Sequence, residues 1–437
     1  MSVGTLLDRP RASRIAALLH GPAAVAIALV LLLLGASPAR LAAQIDPEAR
    51  ELIQFGYTQP LQGRSPISGY AFYYHNHPGF IRTNLTLRLA IAPTYIDSEL
   101  GFRDPFGTHT DFGLGIAGGG FADSYSEIRR GKWWQEESFT GHGGEASFSV
   151  YQLLNPLPAG QKDYTGLGDV PLQLVLRNTM RYSVYQRDGA TAANFVLPDD
   201  KLEHHVRAGI RWGGREPLLQ PHRAVELSAW YEGQFRTDSQ AYGYAGDRDI
   251  RAQTHLLWGR ALVAWEFENR QHAEVSITGG VTAHPDRFSA FRLGGALPMS
   301  AEFPLMIPGY YFQELSAERF VLLNGEYSVP LGRTSRWDAT LFGGMANLDY
   351  FEPLKEPNHW HRGIGLGISY TSPDSSWHWT LGYARGIDAL RGEHRGADTI
   401  GLILQYDLES STTKPLKRAG RWLNPNTWRG FDRLFGR

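Results

Sequence analysis

The chain has 437 residues and a formal net charge of -1, with 43 basic against 44 acidic residues, which argues against a protein that binds nucleic acid through net positive charge. Apolar residues make up 42% and charged residues 20%, too rich a mixture for a disordered chain. There is no cysteine, so no disulfide framework and no thiol chemistry, and the 12 Trp, 20 Tyr, 21 Phe and 49 Gly suit strands, interfacial belts and turns.

Residues 1–43 read as an export signal. Arg9, Arg11 and Arg14 form a basic start, Ala23 to Leu34 is an unbroken apolar run, and Leu41-Ala42-Ala43 precedes Gln44 as a cleavage edge. The run falls short of the roughly 20 residues a spanning helix needs; an uncleaved anchor is the alternative. Residues 44–66 read as a short periplasmic segment, with no room for a folded domain of about 50 residues.

From residue 67 to 408 the chain reads as strands. Ile67 to Tyr74 is the first candidate, and Ile81 to Ile96 the second. There Leu85, Leu87, Leu89 and Ile91 share one face, while Thr86, Arg88, Ala90 and Ala92 share the other. The pattern repeats. Leu174, Leu176 and Met180 oppose Arg177 and Arg181, and Val206 and Ile210 oppose Arg207 and Arg211. Leu227 and Tyr231 oppose Glu226 and Glu232; Ala261, Val263, Trp265 and Phe267 oppose Arg260, Glu266 and Glu268; Val275 and Ile277 oppose Glu274.

A soluble sandwich alternates in the same way, so strand length decides. These segments run to roughly 10–15 residues, against about 5–6 in globular proteins and about 9–11 in membrane barrels. The expected fold is all-β, a transmembrane outer-membrane antiparallel β-barrel of about fourteen strands, with twelve to sixteen possible. Apolar faces then meet lipid, and the charged faces line the lumen, because an Arg or Lys facing mid-bilayer costs about 2–4 kcal/mol. Those lumen charges form either a salt-bridged ladder that stiffens the wall or a pattern that guides a polar substrate. Counted from the C-terminus, long connections alternate with short ones, which places both chain ends in the periplasm.

The third quarter carries an ordered set of motifs. Phe291-Arg292-Leu293-Gly294-Gly295 is followed by Ile307-Pro308-Gly309-Tyr310 and then by Glu326-Tyr327-Ser328-Val329-Pro330-Leu331. This set resembles the bacterial surface-antigen barrels of the BamA-like assembly and two-partner-secretion superfamily. The resemblance implies that a long external loop, residues 285–317, folds back into the lumen and that five strands follow it. The glycine-rich run from Gly363 to Tyr370 resembles that family's penultimate region. Two departures stand out. Pro308 occupies the place of the family's loop-tip arginine, leaving inward-facing Glu326 and Asp338 without that partner unless Arg292 or Arg319 replaces it. The family's periplasmic polypeptide-transport-associated domains are absent from the expected layout.

No catalytic, cofactor or metal site is expected. His75 with His77, and His359 with His361, have ligand-like spacing but no third ligand in register. Neither a Gly-x-Ser-x-Gly elbow nor a phosphate loop occurs. Residues 409–437 form a basic tail in which Trp428, Phe431, Leu434 and Phe435 share one helical face, suited to an anionic membrane surface. The expected protein is a monomeric barrel whose partners are outer-membrane lipids and a translocated or inserted protein or lipid. A passive porin-like channel and an outer-membrane enzyme such as a lipid hydrolase are the alternatives.

Overall fold

The computed structural model describes residues 49–156, 170–214, 223–267, 269–295, 305–332 and 336–408. The signal segment, Glu268 and the C-terminal tail lie outside the described residues. The strands are β1 (Arg50–Pro60), β2 (Ser68–Pro78), β3 (Leu85–Ala92), β4 (Tyr95–Phe102), β5 (Thr110–Gly119) and β6 (Tyr125–Arg129). Then come β7 (Lys132–Leu153), β8 (Leu172–Gln186), β9 (Lys201–Gly213), β10 (Arg223–Arg236), β11 (Gln253–Glu266) and β12 (His272–Ala283). The last group is β13 (Phe291–Leu293), β14 (Leu315–Leu331), β15 (Trp337–Tyr350), β16 (Trp360–Thr371), β17 (Trp377–Arg391) and β18 (His394–Asp407).

Sixteen of these close a ring, each antiparallel to its neighbours in chain order, while β6 and β13 stand off the wall. Closure runs through β1 and β18, paired from Leu52↔Asp407 to Pro60↔Thr399, so no strand edge is left open in the wall.

The count corrects the expected fourteen by two strands. The supposed periplasmic segment contains β1, whose outward Ile53, Phe55 and Tyr57 alternate with buried Leu52 and Gln54. The expected strand from residue 81 to 96 turns at Pro93-Thr94 and returns as β4, paired from Leu85↔Phe102 to Ala92↔Tyr95. Adding two strands keeps the number even. Five wall strands do follow the long loop, β14 to β18. The connection expected to be long near residues 387–396 is instead a two-residue turn between strands that extend well beyond the others' rim.

The burial pattern is inside out relative to a soluble protein. On β3, Thr86, Arg88 and Ala90 are buried while Ile91 is exposed. Around the ring Ile116, Leu174, Met180, Ile277, Leu341, Leu366 and Leu381 project outward and exposed. Aromatic rings edge this apolar band. At the end where β1 begins and β18 ends, Trp337 meets Tyr370 at 4.9 Å and Trp379 at 5.2 Å, and Trp377 meets Tyr406 at 4.7 Å. Tyr57, Trp360 and Tyr383 mark the other edge. An apolar belt between aromatic girdles, around a polar interior, is the signature of a barrel in a bilayer.

Candidate functional site: a lid tied to the inner wall

The connections at the end opposite the start of β1 and the finish of β18 fold over the mouth of the barrel. β6 pairs with the first part of β7 as a hairpin, while the remainder of β7 continues down the wall. The hairpin turn reaches nearly across the ring. Gly131 lies against the Leu390 carbonyl on β17 with a left-handed φ of +67° and no room for a Cβ. Beneath the hairpin, Tyr125, Phe139, Tyr185, Phe195, Tyr242, Ile250 and Phe288 form a buried cluster drawn from several connections. This gives the lid a core of its own.

The β12–β14 connection carries the motif residues. Phe291 packs edge-on against Phe320 at 4.9 Å, and β13 pairs with the start of β14. Gly294 and Gly295 form bridges to Met306 and Phe312, which folds the loop back on itself. Its tip then lies on the inner wall of β15 to β17. Backbone atoms of Pro308 fill the space above Gly363, and Gly309 abuts the backbone of Gly386, so side chains at the two wall glycines would push the tip away. Tyr310 is buried with its hydroxyl 2.9 Å from His361 Nδ1, and Tyr350 hydrogen-bonds the other ring nitrogen.

Three lid carboxylates reach three wall arginines: Asp123 to Arg181 on β8, Asp286 to Arg236 on β10, and Glu314 to Arg391 on β17. The last pair is bidentate, with Arg391 Nη1 donating to Glu314 Oε1 at 2.7 Å and Nη2 to Oε2 at 3.1 Å. The Arg391 guanidinium also lies 3.5 Å above the Tyr311 ring, whose hydroxyl donates to the Gln62 carbonyl in the β1–β2 connection. The lock implied by the resemblance, a loop arginine against a wall carboxylate, is expected to be missing at Pro308. Here the charges are exchanged, with the carboxylate on the loop and the arginine on the wall. Neither suggested substitute fills that role: Arg292 donates to the Gln313 and Ser126 carbonyls within the lid, and Arg319 pairs with exposed Asp349.

A further knot joins the lid segments to one another. Glu127 on the hairpin pairs with Arg287 at 3.2 Å, Arg248 at 3.4 Å and Arg129 at 3.6 Å, and Glu137 pairs with Arg129 and Arg248. Burial raises the Glu127 carboxyl, but the surrounding arginines and the Tyr125 hydroxyl outweigh it and hold the group below its ordinary value. For Glu314 burial wins over Arg391, and the carboxyl is raised. Glu356, buried in the β15–β16 connection, is pushed up to about 8 by burial and by the neighbouring Glu314 charge.

Below the lid the predicted lumen charges line the wall of β8 to β11 as an ion-paired ladder. Glu226 accepts from Arg211 at 2.8 Å and from Arg260 at 2.8 and 3.0 Å; Arg207 donates to Glu232 at 2.7 Å. Arg177 donates to Ser149 and Tyr151, and it lies directly across from Arg207. Glu266 sits at the inward register of β11 as its last residue, at the end away from the lid. Arg88 is held by Asp97 and Glu99, both on β4. Glu326 and Asp338 face inward but away from the loop tip, with Glu326 opposite Glu274.

The histidine pairs diverge. His75 and His77 stack on the outer face of β2 at 5.5 Å, whereas His361 is buried beneath the lid and His359 bonds the Leu348 carbonyl at 2.7 Å. Among the described residues no group of three or more His, Asp or Glu is placed to hold a metal ion. Of the residues that tie the lid, Asp123, Glu127, Asp286 and Glu314 escaped the sequence reading because lid segments carry no long two-residue period to sort them by face, and Arg391 because the end of β17 reads in the sequence as a connection.

No protein-family model matches the chain, and no curated protein matches it in sequence. Solved structures match in fold. CdiB from Escherichia coli is similar with a TM-score of 0.56 and 12% identity, over 83% of this chain and 64% of that one. CdiB from Acinetobacter baumannii follows at 0.52 and 10%, over 85% of this chain and 64% of that one. BamA from Haemophilus ducreyi lacking POTRA domains 1–3 gives 0.47 and 11%, over 82% of this chain and 70% of that one. The chain thus spans about two thirds of the length of each CdiB, at 64%.

Proposed function

We propose that this bacterial outer-membrane β-barrel is a reduced, surface-antigen-type barrel that passes or inserts a protein or lipid at the outer membrane. On this reading it works without catalytic chemistry and as a monomer, and its folded-in loop is the gate. The observation that carries the reading is the loop tip seated on the wall glycines and held by Glu314 on Arg391. A passive pore has no need of a lid with its own aromatic core, three wall ties and a knot of arginines. The order of the motifs, with five strands after the loop, supports the same reading.

The test is ion conductance in planar bilayers. The intact protein is expected to be silent, and deletion of residues 298–313 to open a steady pore. Equal, steady conductance from both proteins supports a porin instead. Genomic neighbours and co-purifying partners then name the cargo.

A further inference from the structure

Most outward side chains in the barrel wall are apolar, which makes the exceptions informative. Arg362 on β16 and Arg385 on β17 point outward near the lid end, each side chain 53% exposed. Arg395 on β18 lies beside them and reaches Asn358 at 2.5 Å. Along the two strands Ile364 and Tyr383 lie just toward mid-membrane from these arginines, and Trp360 and Ile387 just toward the lid, all four exposed. The guanidinium groups sit at the level of the Trp360 and Tyr383 rings that edge the apolar band, a depth at which an arginine costs only about 0–1 kcal/mol.

Each of the first two has a carboxylate partner, and the pairs are asymmetric. Arg362 donates to Asp388 at 2.8 and 3.0 Å, and Arg385 to Asp398 at 3.1 and 3.2 Å. Asp388 is 7% and Asp398 14% exposed, so the acids are tucked against the wall while the arginines face out. The Arg319–Asp349 pair on β14 and β15 behaves differently, with both members about equally exposed at 59% and 58%. Arg385 is also positioned rather than loose. It lies across Gly396, whose φ of +94° and missing Cβ leave it the space.

We propose that Arg362, Arg385 and Arg395 form a binding site for a phosphate-bearing lipid of the external leaflet. Its acyl chains run down the apolar face past Ile364 and Tyr383, and its phosphate sits on the guanidinium face. The carboxylates hold each fork in place and leave N–H groups directed outward, the geometry that suits bidentate phosphate recognition. The site is on the outer surface and stands independently of what passes through the lumen.

The test is native mass spectrometry of the purified full-length barrel in neutral detergent. It is mixed with bisphosphorylated lipid A, with the same lipid stripped of phosphate, or with inorganic phosphate alone. The proposal expects retention of the phosphorylated lipid and not of the stripped one. The variant R362Q/D388N/R385Q/D398N, which removes both pairs without changing net charge, should bind at least about tenfold more weakly, the worth of one charge-assisted hydrogen bond. R319Q/D349N should bind as the parent does. Equal retention of stripped lipid, retention of inorganic phosphate in place of lipid, or equal binding by the fourfold variant overturns the proposal. Should that variant fail to fold, judged by heat-modified gel mobility, the comparison of the two lipids on the parent protein still decides.

Discussion

Arg391 on β17 grips Glu314 with two parallel hydrogen bonds, and this one pair joins the last third of the barrel wall to the loop that fills its mouth. Both members are buried, so breaking the pair strands a charge. Loss of one partner of such a pair costs about 3–5 kcal/mol, whereas removal of both is far less damaging. Arg391→Ala should therefore release the loop and raise bilayer conductance. The double variant Arg391→Gln with Glu314→Gln should lie closer to the parent, and a double variant as leaky as Arg391→Ala argues against the pair as the lock.

The glycine seat makes a prediction that involves no charge. Gly363 has backbone atoms of Pro308 where a Cβ would stand. Gly363→Val should lift the loop tip and admit ions while strand pairing persists, because β16 remains bonded to β15 and β17 on either side. Conductance together with unchanged heat-modified mobility checks this.

Two lid carboxylates respond to pH in opposite directions. Glu356 is raised from 4.5 to about 8, so the closed lid holds a proton that an open lid releases. Its contribution is complete below about 4.5 and is lost as pH rises through about 8. Glu127 is lowered, so its contribution is present above the ordinary carboxyl value and is lost as pH falls below it. Protease cleavage within the lid should thus quicken at pH 9 relative to pH 6.5, and Glu356→Gln should abolish that alkaline increase. Persistence of the increase in the variant places the sensitivity elsewhere.

In the lumen, Glu226 neutralises both Arg211 and Arg260. Glu226→Gln leaves the two arginines facing each other across a buried site, at a cost of about 3–5 kcal/mol. The unfolding temperature of the barrel should fall, whereas Arg319→Gln, from an exposed pair, should leave it nearly unchanged.

The wall strands were legible in the sequence because a bilayer outside and charges inside impose a strict two-residue period. That period sorts Arg177, Arg181, Arg207 and Arg260 onto the polar face of their strands. It failed at β1, where Gln54 and Gly56 occupy inward positions without charge, and at β4, whose first residues ran on from β3 in one expected strand. The loop fold was legible from its ordered motifs, but the lock was not. A bond between residues 314 and 391 joins a loop to a distant strand, and neither residue announces its partner locally.

The most direct test of the gate uses the absence of native cysteine. Glu314→Cys with Arg391→Cys removes the ionic lock and supplies two thiols, which a reducible bifunctional crosslinker can join. In one planar bilayer, the crosslinked protein should be silent, and addition of reductant should open a steady conductance. Current that is the same before and after reduction contradicts a loop held to the wall as the closure of this barrel.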